Sequence, residues 1–344
     1  MSSKIIINNN YNSLTITRRT MLGAAASAAT LIATNPALAM LEIDITRGNI
    51  EPLPIAVTSF FSEDSSATEK GIEISNVVAA DLERSGLFRP LNSSAFIQRP
   101  SEMHPRPRFV DWRTINAQAL VTGKASVGTD GLMRIEFRLW DVFAEQQMTG
   151  LIFTSTPESW RRVAHLIADQ IYERLTGEKG YFDTRIVYVS ERGKPTNRKK
   201  RLAIMDQDGS NHTFLTDESY TVLTPRFSPN TQEITYLSYE DGQPVVYIYN
   251  IDTGQREALG DITGMSYAPR FHPDGKKVIM TISDSGISDI WTMDLQTRSR
   301  KQLTFTSSID TSPSYSPDGD KIVFNSDRST QGHIYVMDSN GRNQ

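Results

Sequence analysis

Three stretches of the chain recur at a fixed spacing, and that recurrence limits the fold more than any other feature. They are TPRFSPNTQEIT from Thr224, APRFHPDGKKVI from Ala268 and SPSYSPDGDKIV from Ser312. Pro225, Pro269 and Pro313 are 44 residues apart each time, as are Pro229, Pro273 and Pro317. Ile234, Val278 and Ile322 each start an apolar triplet, and each triplet is followed by a second strand ending in Asp: VVYIYNID, DIWTMD and HIYVMD. An earlier unit, RIVYVSER and then RLAIMDQDG, has the second half alone. Self-similarity at about 40 to 45 residues, with four short strands per unit, predicts a β-propeller.

Each repeated residue has an architectural reason. A four-stranded blade cannot cover both of its apolar faces, so blades stack and bury them against one another. Phe227, Phe271 and Tyr315 suit such a between-blade face. Asp-Gly sets a tight hairpin, because Gly accepts positive φ and Asp tolerates it. For Asp274, Asp318, Asp252, Asp294 and Asp338 the expectation is therefore turn and strand-end hydrogen bonding. A catalytic or metal-binding acid is needed once, not in every unit.

Ahead of the repeats the texture is different. LEIDI and PLPIAVTSF read as strands, and so do 117–126 and 133–143. In SATEKGIEISNVVAADLERSG, Ile74, Val78 and Leu82 recur at helical spacing, and Gly86 stands where a helix-ending glycine belongs. TPESWRRVAHLIADQIYERLTG is the clearest helix. Thr156 is placed to cap it, Trp160, Val163, Ala164, Ile167, Ile171 and Leu175 form its apolar stripe, and Gly177 ends it. The expected organisation is an α/β domain over 40–179, a joint at 180–184 and an all-β propeller over 180–344, incomplete at about four blades.

The first 39 residues hold Lys4, Arg18 and Arg19, no acid, and an apolar stretch before Ala37-Leu38-Ala39. This reads as a signal peptide over 1–39, cleaved between Ala39 and Met40. Paired arginines also fit the twin-arginine route, and either route exports the protein. Net charge is −4 for the whole chain, so the rest is more acidic still. That balance argues against a nucleic-acid partner, which requires a basic face. No cysteine is present, which removes disulfides, thiolate zinc sites and cysteine nucleophiles. G-x-S-x-G, P-loop and H-E-x-x-H motifs are missing, and His104, His165, His212, His272 and His333 have no metal-ligand spacing. No metal and no cofactor is expected. His272 stands where the other repeats have Ser228 and Ser316, so it reads as a substituted turn residue. His165 reads as a satisfied core or boundary residue. Arg192, Lys194, Arg198, Lys199, Lys200 and Arg201 form the one basic cluster, read as a solvated hairpin.

The repeat, matching P-x-[WF]-S-P-D-G followed by an apolar triplet and a strand ending in Asp, the order signal–α/β–repeat, and the stretches LEIDITRGNIEPLPIAVTSF and TGEKGYFDTRIVYVSE together resemble the TolB family of the Tol-Pal system, over essentially the whole chain. That resemblance implies a six-bladed propeller, so the chain reads as a fragment or truncated frame. It implies a non-catalytic periplasmic adaptor supporting outer-membrane integrity, cell division and protein import, with membrane association through partners only. Pal, the peptidoglycan-associated lipoprotein, would dock on the rim of the propeller. Thr221, Thr224, Met265, Ala268 and Thr311, just before the repeat prolines, are the candidate contacts. The C-terminal domain of TolA would take the mature N-terminus: Leu41, Glu42, Ile43, Asp44, Ile45, Thr46 and Arg47. Other outer-membrane proteins are further partners. The competing expectation is an enzyme, either a propeller-bearing peptidase fragment without its hydrolase domain or a metal-dependent propeller hydrolase.

Overall fold

The computed structural model describes residues 6–8, 41–44, 51–240, 242–259 and 264–344. The chain divides between Thr184 and Arg185 into two compact units.

The first unit is built on one mixed sheet of β1 (Ile6–Asn8), β2 (Leu53–Val57), β3 (Phe88–Pro90), β4 (Ala119–Val127), β5 (Met133–Asp141) and β6 (Gln146–Ser155), in the order β1-β6-β5-β4-β2-β3. β2 runs parallel to β3 and β4, and the other pairings are antiparallel. Strand alternation sends successive residues to opposite faces. Ile55, Ala119 and Val121 thus join a core with Ile74, Val78 and Leu82 of α1 (Ser65–Arg84) and with Val163, Ile167 and Ile171 of α3 (Trp160–Thr176). Ala56 and Leu120 face the other way, into a smaller core with Phe109 and Trp112 of α2 (Phe109–Thr114). Gly71 of α1 is required by a close approach: a Cβ there would lie 2.3 Å from the Phe60 carbonyl oxygen.

The two helices expected from spacing are present, with Gly86 and Gly177 in the left-handed region after them. Two local expectations are corrected. Thr156 does not cap α3, because a short 3-10 turn over Pro157–Ser159 intervenes and Thr156 makes no side-chain cap bond. Leu41 to Asp44 is not a strand: Ile43 makes one backbone bond, its N–H donating to the Leu175 carbonyl at 2.7 Å. Ile45, Thr46, Arg47, Ala39 and Met40 lie outside the described residues. β3, α2 and β6 had no counterpart in the sequence reading.

The second unit is four consecutive antiparallel sheets. The first holds β7 (Arg185–Arg192), β8 (Lys199–Asp206) and β9 (Thr213–Phe214). The second holds β10 (Val222–Phe227), β11 (Glu233–Ser238), β12 (Val245–Asn250) and β13 (Arg256–Ala258). The third holds β14 (Met265–Phe271), β15 (Lys277–Asp284), β16 (Ile287–Asp294) and β17 (Arg300–Gln302). The fourth holds β18 (Asp310–Tyr315), β19 (Lys321–Ser326) and β20 (His333–Asp338). Pro225, Pro269 and Pro313 therefore sit at one position on successive sheets.

Seams of apolar side chains join neighbouring sheets, as stacking requires. Phe227 packs with Leu202, Val222 and Ile234, Phe271 with Val246, Ile248 and Met280, and Tyr315 with Ile279, Ile290 and Phe324. The ladder also corrects one repeat equivalence. Glu233 pairs with Asn250 as Lys277 pairs with Asp294 and Lys321 with Asp338. Asn250, not Asp252, holds the strand-end position of the second sheet.

Candidate docking surface

The inner strands carry the repeated local geometry. In β10, Leu223 pairs with Leu237 and Arg226 with Thr235, so Thr224 and Pro225 together oppose Tyr236. Ala268 and Pro269 oppose Met280, and Ser312 and Pro313 oppose Phe324, in the same two-against-one bulge. Proline fits the bulge because it has no N–H to leave unpaired. The residue before it is left-handed each time, with φ of 48° at Thr224, 53° at Ala268 and 55° at Ser312. Side chains are uncommon in that region. Three in a row, one per sheet, mark a backbone shape repeated along the inner strands.

Of the residues expected at this rim, Thr221 and Thr224 are exposed. Met265 is exposed and opens β14, while Ala268 is half-buried. Thr311 does not belong to the row. It pairs with Asn325, in the ladder position of Leu223 and Tyr267, and Ser312 is the left-handed residue of the fourth sheet. The other expected segment behaves differently. Ile43 is buried in the core of the first unit, Leu41 packs partly against it, and Glu42 and Asp44 are exposed.

The repeated acids do the turn work expected of them. Asp294 accepts from the backbone N–H groups of Thr297 and Gln296 at 2.8 and 3.0 Å, which with the Thr297 hydroxyl holds its carboxyl below the usual range. The Ser316 hydroxyl and the Asp320 N–H do the same for Asp318. Lys321 and Asn343 do so for Asp338. The Lys276 N–H donates to Asp274 at 2.8 Å, and Asn250 accepts from the N–H groups of Asp252 and Thr253. His272 accepts from the Asp274 N–H and lies edge-on to Tyr315, a turn residue as its place in the repeat suggested. His165 is buried, with its Nδ1 2.6 Å from an Asp81 carboxylate oxygen. Four cations of the basic hairpin meet acids: Arg192 and Arg201 pair with Glu218, and Arg198 and Lys200 with Glu191.

Further charge sits where the third and fourth sheets meet, at Asp289 and Asp310. Asp310 is fully buried and accepts from Arg328 at 2.8 Å. Asp289 accepts from Thr304 and Gln302, and burial, helped by the charge of Asp310, holds its carboxyl above the usual range. Two side chains not singled out from the sequence are Arg226 and Arg270, one residue after the repeat prolines. Their signal was the shared P-R-F against P-S-Y in the third repeat.

Comparison with known proteins agrees with this architecture. The TolB amino-terminal domain model matches residues 41–148, and the TolB beta propeller domain model matches residues 172–344. A Tol-Pal system protein TolB from Paramagnetospirillum magneticum (strain ATCC 700264 / AMB-1) is 57% identical over 232 residues, 67% of this chain and 52% of the relative. The chain thus spans about half the length of that curated relative. The crystal structure of TolB from Acinetobacter baumannii superposes with a TM-score of 0.71 at 30% identity, covering 87% of this chain and 72% of that one. With both domain models in sequence order and a matching solved structure, the chain belongs to the TolB family.

Proposed function

We propose that this chain is a non-catalytic adaptor of the Tol-Pal system in the periplasm. Its inner-strand rim binds Pal, and its mature N-terminal segment binds the C-terminal domain of TolA. The observation that carries this reading is the row of left-handed bulges at Thr224, Ala268 and Ser312. A backbone shape repeated in neighbouring sheets offers a partner several side chains in fixed relation, with little ordering to be done on binding. Repetition also argues against catalysis, since the repeated acids are committed to turns. The amino-terminal charge and apolar pattern supports export, and among the described residues no helix is long and apolar enough to cross a membrane.

The N-terminal segment suits exchange between partners. Ile43 is held by one backbone bond and its own burial. Once released, a short segment can extend and pair with the edge of another sheet. If Pal and TolA compete through the state of this segment, the coupling is reciprocal. Removal of residues 41–47 is expected to weaken TolA binding by roughly 100-fold or more, about 2.7 kcal/mol, with Pal binding retained in the same preparation. Isothermal titration against each partner reads both. An equal loss of Pal binding contradicts the two-surface reading.

A further inference from the structure

Eight cations of the four sheets have an acid beside them. Arg192, Arg198, Lys200, Arg201, Arg256, Arg298, Lys321 and Arg328 all pair with carboxylates. Arg226 and Arg270 do not. Arg226 donates to the carbonyl of Pro225 at 3.1 Å and Arg270 to that of Pro269 at 2.8 Å, and among the described residues neither meets a carboxylate. Each thus spends one of five donors on its own backbone.

Their placement makes this a built feature. The two residues occupy the same repeat position on β10 and β14, which lie against each other. Alternation along the strand puts each guanidinium on the side opposite Phe227 or Phe271, and those two rings fill the seams. Arg226 is exposed and Arg270 half-buried. Burial, together with the charge of Arg226, holds the Arg270 guanidinium below its usual range. Two like charges side by side, without an acid, in a chain of net negative charge, are destabilising unless something anionic joins them.

We propose that Arg226 and Arg270 form an anion-binding pair on the inner edge of the second and third sheets, suited to a carboxylate. The guanidinium fork matches the two oxygens of a carboxylate in a planar, bidentate geometry. The pair lies two residues beyond Thr224 and Ala268, so an acidic side chain of a docked protein is one source and a free organic acid the other. The site stands on its own geometry and does not need the adaptor reading to hold.

The test uses the full chain with no partner added. Arginine Nε–Hε resonances are followed by 15N NMR during titration with glutarate at constant ionic strength. Saturable shifts at Arg226 and Arg270 are expected, with none from the neutral analogue glutaramide. In Arg226→Gln the glutarate dissociation constant should rise at least ~10-fold, while the thermal midpoint without anion should hold or rise because a repulsion has gone. A short glutamate-containing peptide that binds at least as well as glutarate assigns the source to a docked chain, and a peptide that does not bind assigns it to a free acid. No saturable shift, an equal response to glutaramide, or unchanged glutarate affinity in Arg226→Gln overturns the site. Tighter binding of inorganic phosphate than of glutarate overturns the carboxylate assignment.

Discussion

Replacing Phe324 with alanine is expected to lower the unfolding free energy of the chain by about 3 to 5 kcal/mol, the usual range for a buried aromatic. Phe324 is fully buried between the third and fourth sheets, against Ile279, Ile290, Leu303 and Met337, and stacks on Tyr335 at 5.9 Å. Its neighbour Val323 points to the opposite face of the same strand and is 39% exposed. Val323→Ala should therefore cost well under about 1 kcal/mol, as surface changes do. The pair shares strand, register and hydrogen-bond ladder, so the contrast isolates the seam. Chemical denaturation reads both, as a shift of midpoint at constant slope. Equal losses would mean that packing between sheets is not what holds this half of the chain together.

The second large effect is on pH. Tyr236 opposes the Thr224–Pro225 bulge, is completely buried, and its hydroxyl has no hydrogen-bond partner among the described residues. Burial pushes its phenol up to about 12. Because the folded value lies above the unfolded value near 10, the contribution is fully present below pH 10 and is lost as pH rises from 10 to 12. The loss across that window is roughly 2 to 3 kcal/mol, about 1.4 for each pH unit. Tyr236→Phe removes it. The variant should be more stable than the parent at pH 7 by about 1 kcal/mol, since an unpaired buried hydroxyl goes, and the gap should widen above pH 10. A gap that stays constant or closes over pH 10 to 12 would refute the buried-phenol account.

How much of this was legible in the sequence differs from element to element. The 44-residue spacing of Pro225, Pro269 and Pro313 identified the stacked sheets, because every unit must meet the same steric demand at its inner strand. The Asp-Gly turns were equally legible, since Gly275 and Gly319 both have positive φ. The bulge itself was not. Left-handed backbone is signalled by glycine, and here Thr, Ala and Ser occupy it, in bulges opposite Tyr236, Met280 and Phe324. Asp252 misled for a related reason: both Asn250 and Asp252 suit a turn, and only the ladder shows which one faces Glu233. LEIDI alternates like a strand, yet at Ile43 the alternation delivers one side chain to a core without strand pairing. Thr156 has the right chemistry for a cap, but the intervening 3-10 turn moves the helix start beyond it.

The repeat prolines mark the inner strands as a region and do not single out side chains within it. Position before a repeat proline marks Thr224 and Ala268, and their equivalent in the fourth sheet is Ser312, with Thr311 one residue earlier. Arg226 and Arg270 were overlooked because an arginine beside a proline reads as ordinary surface. Their distinction lies in standing at equivalent places on adjacent strands with no acid paired to either, which only three-dimensional packing reveals.

The most direct test of the docking account is an amide hydrogen-exchange footprint of the chain with and without Pal. Protection is expected to concentrate in peptides spanning 221–226, 265–270 and 309–312, with the α1 and α3 peptides of the first unit unchanged. Protection confined to the first unit, or none in the inner strands at saturating Pal, would contradict it.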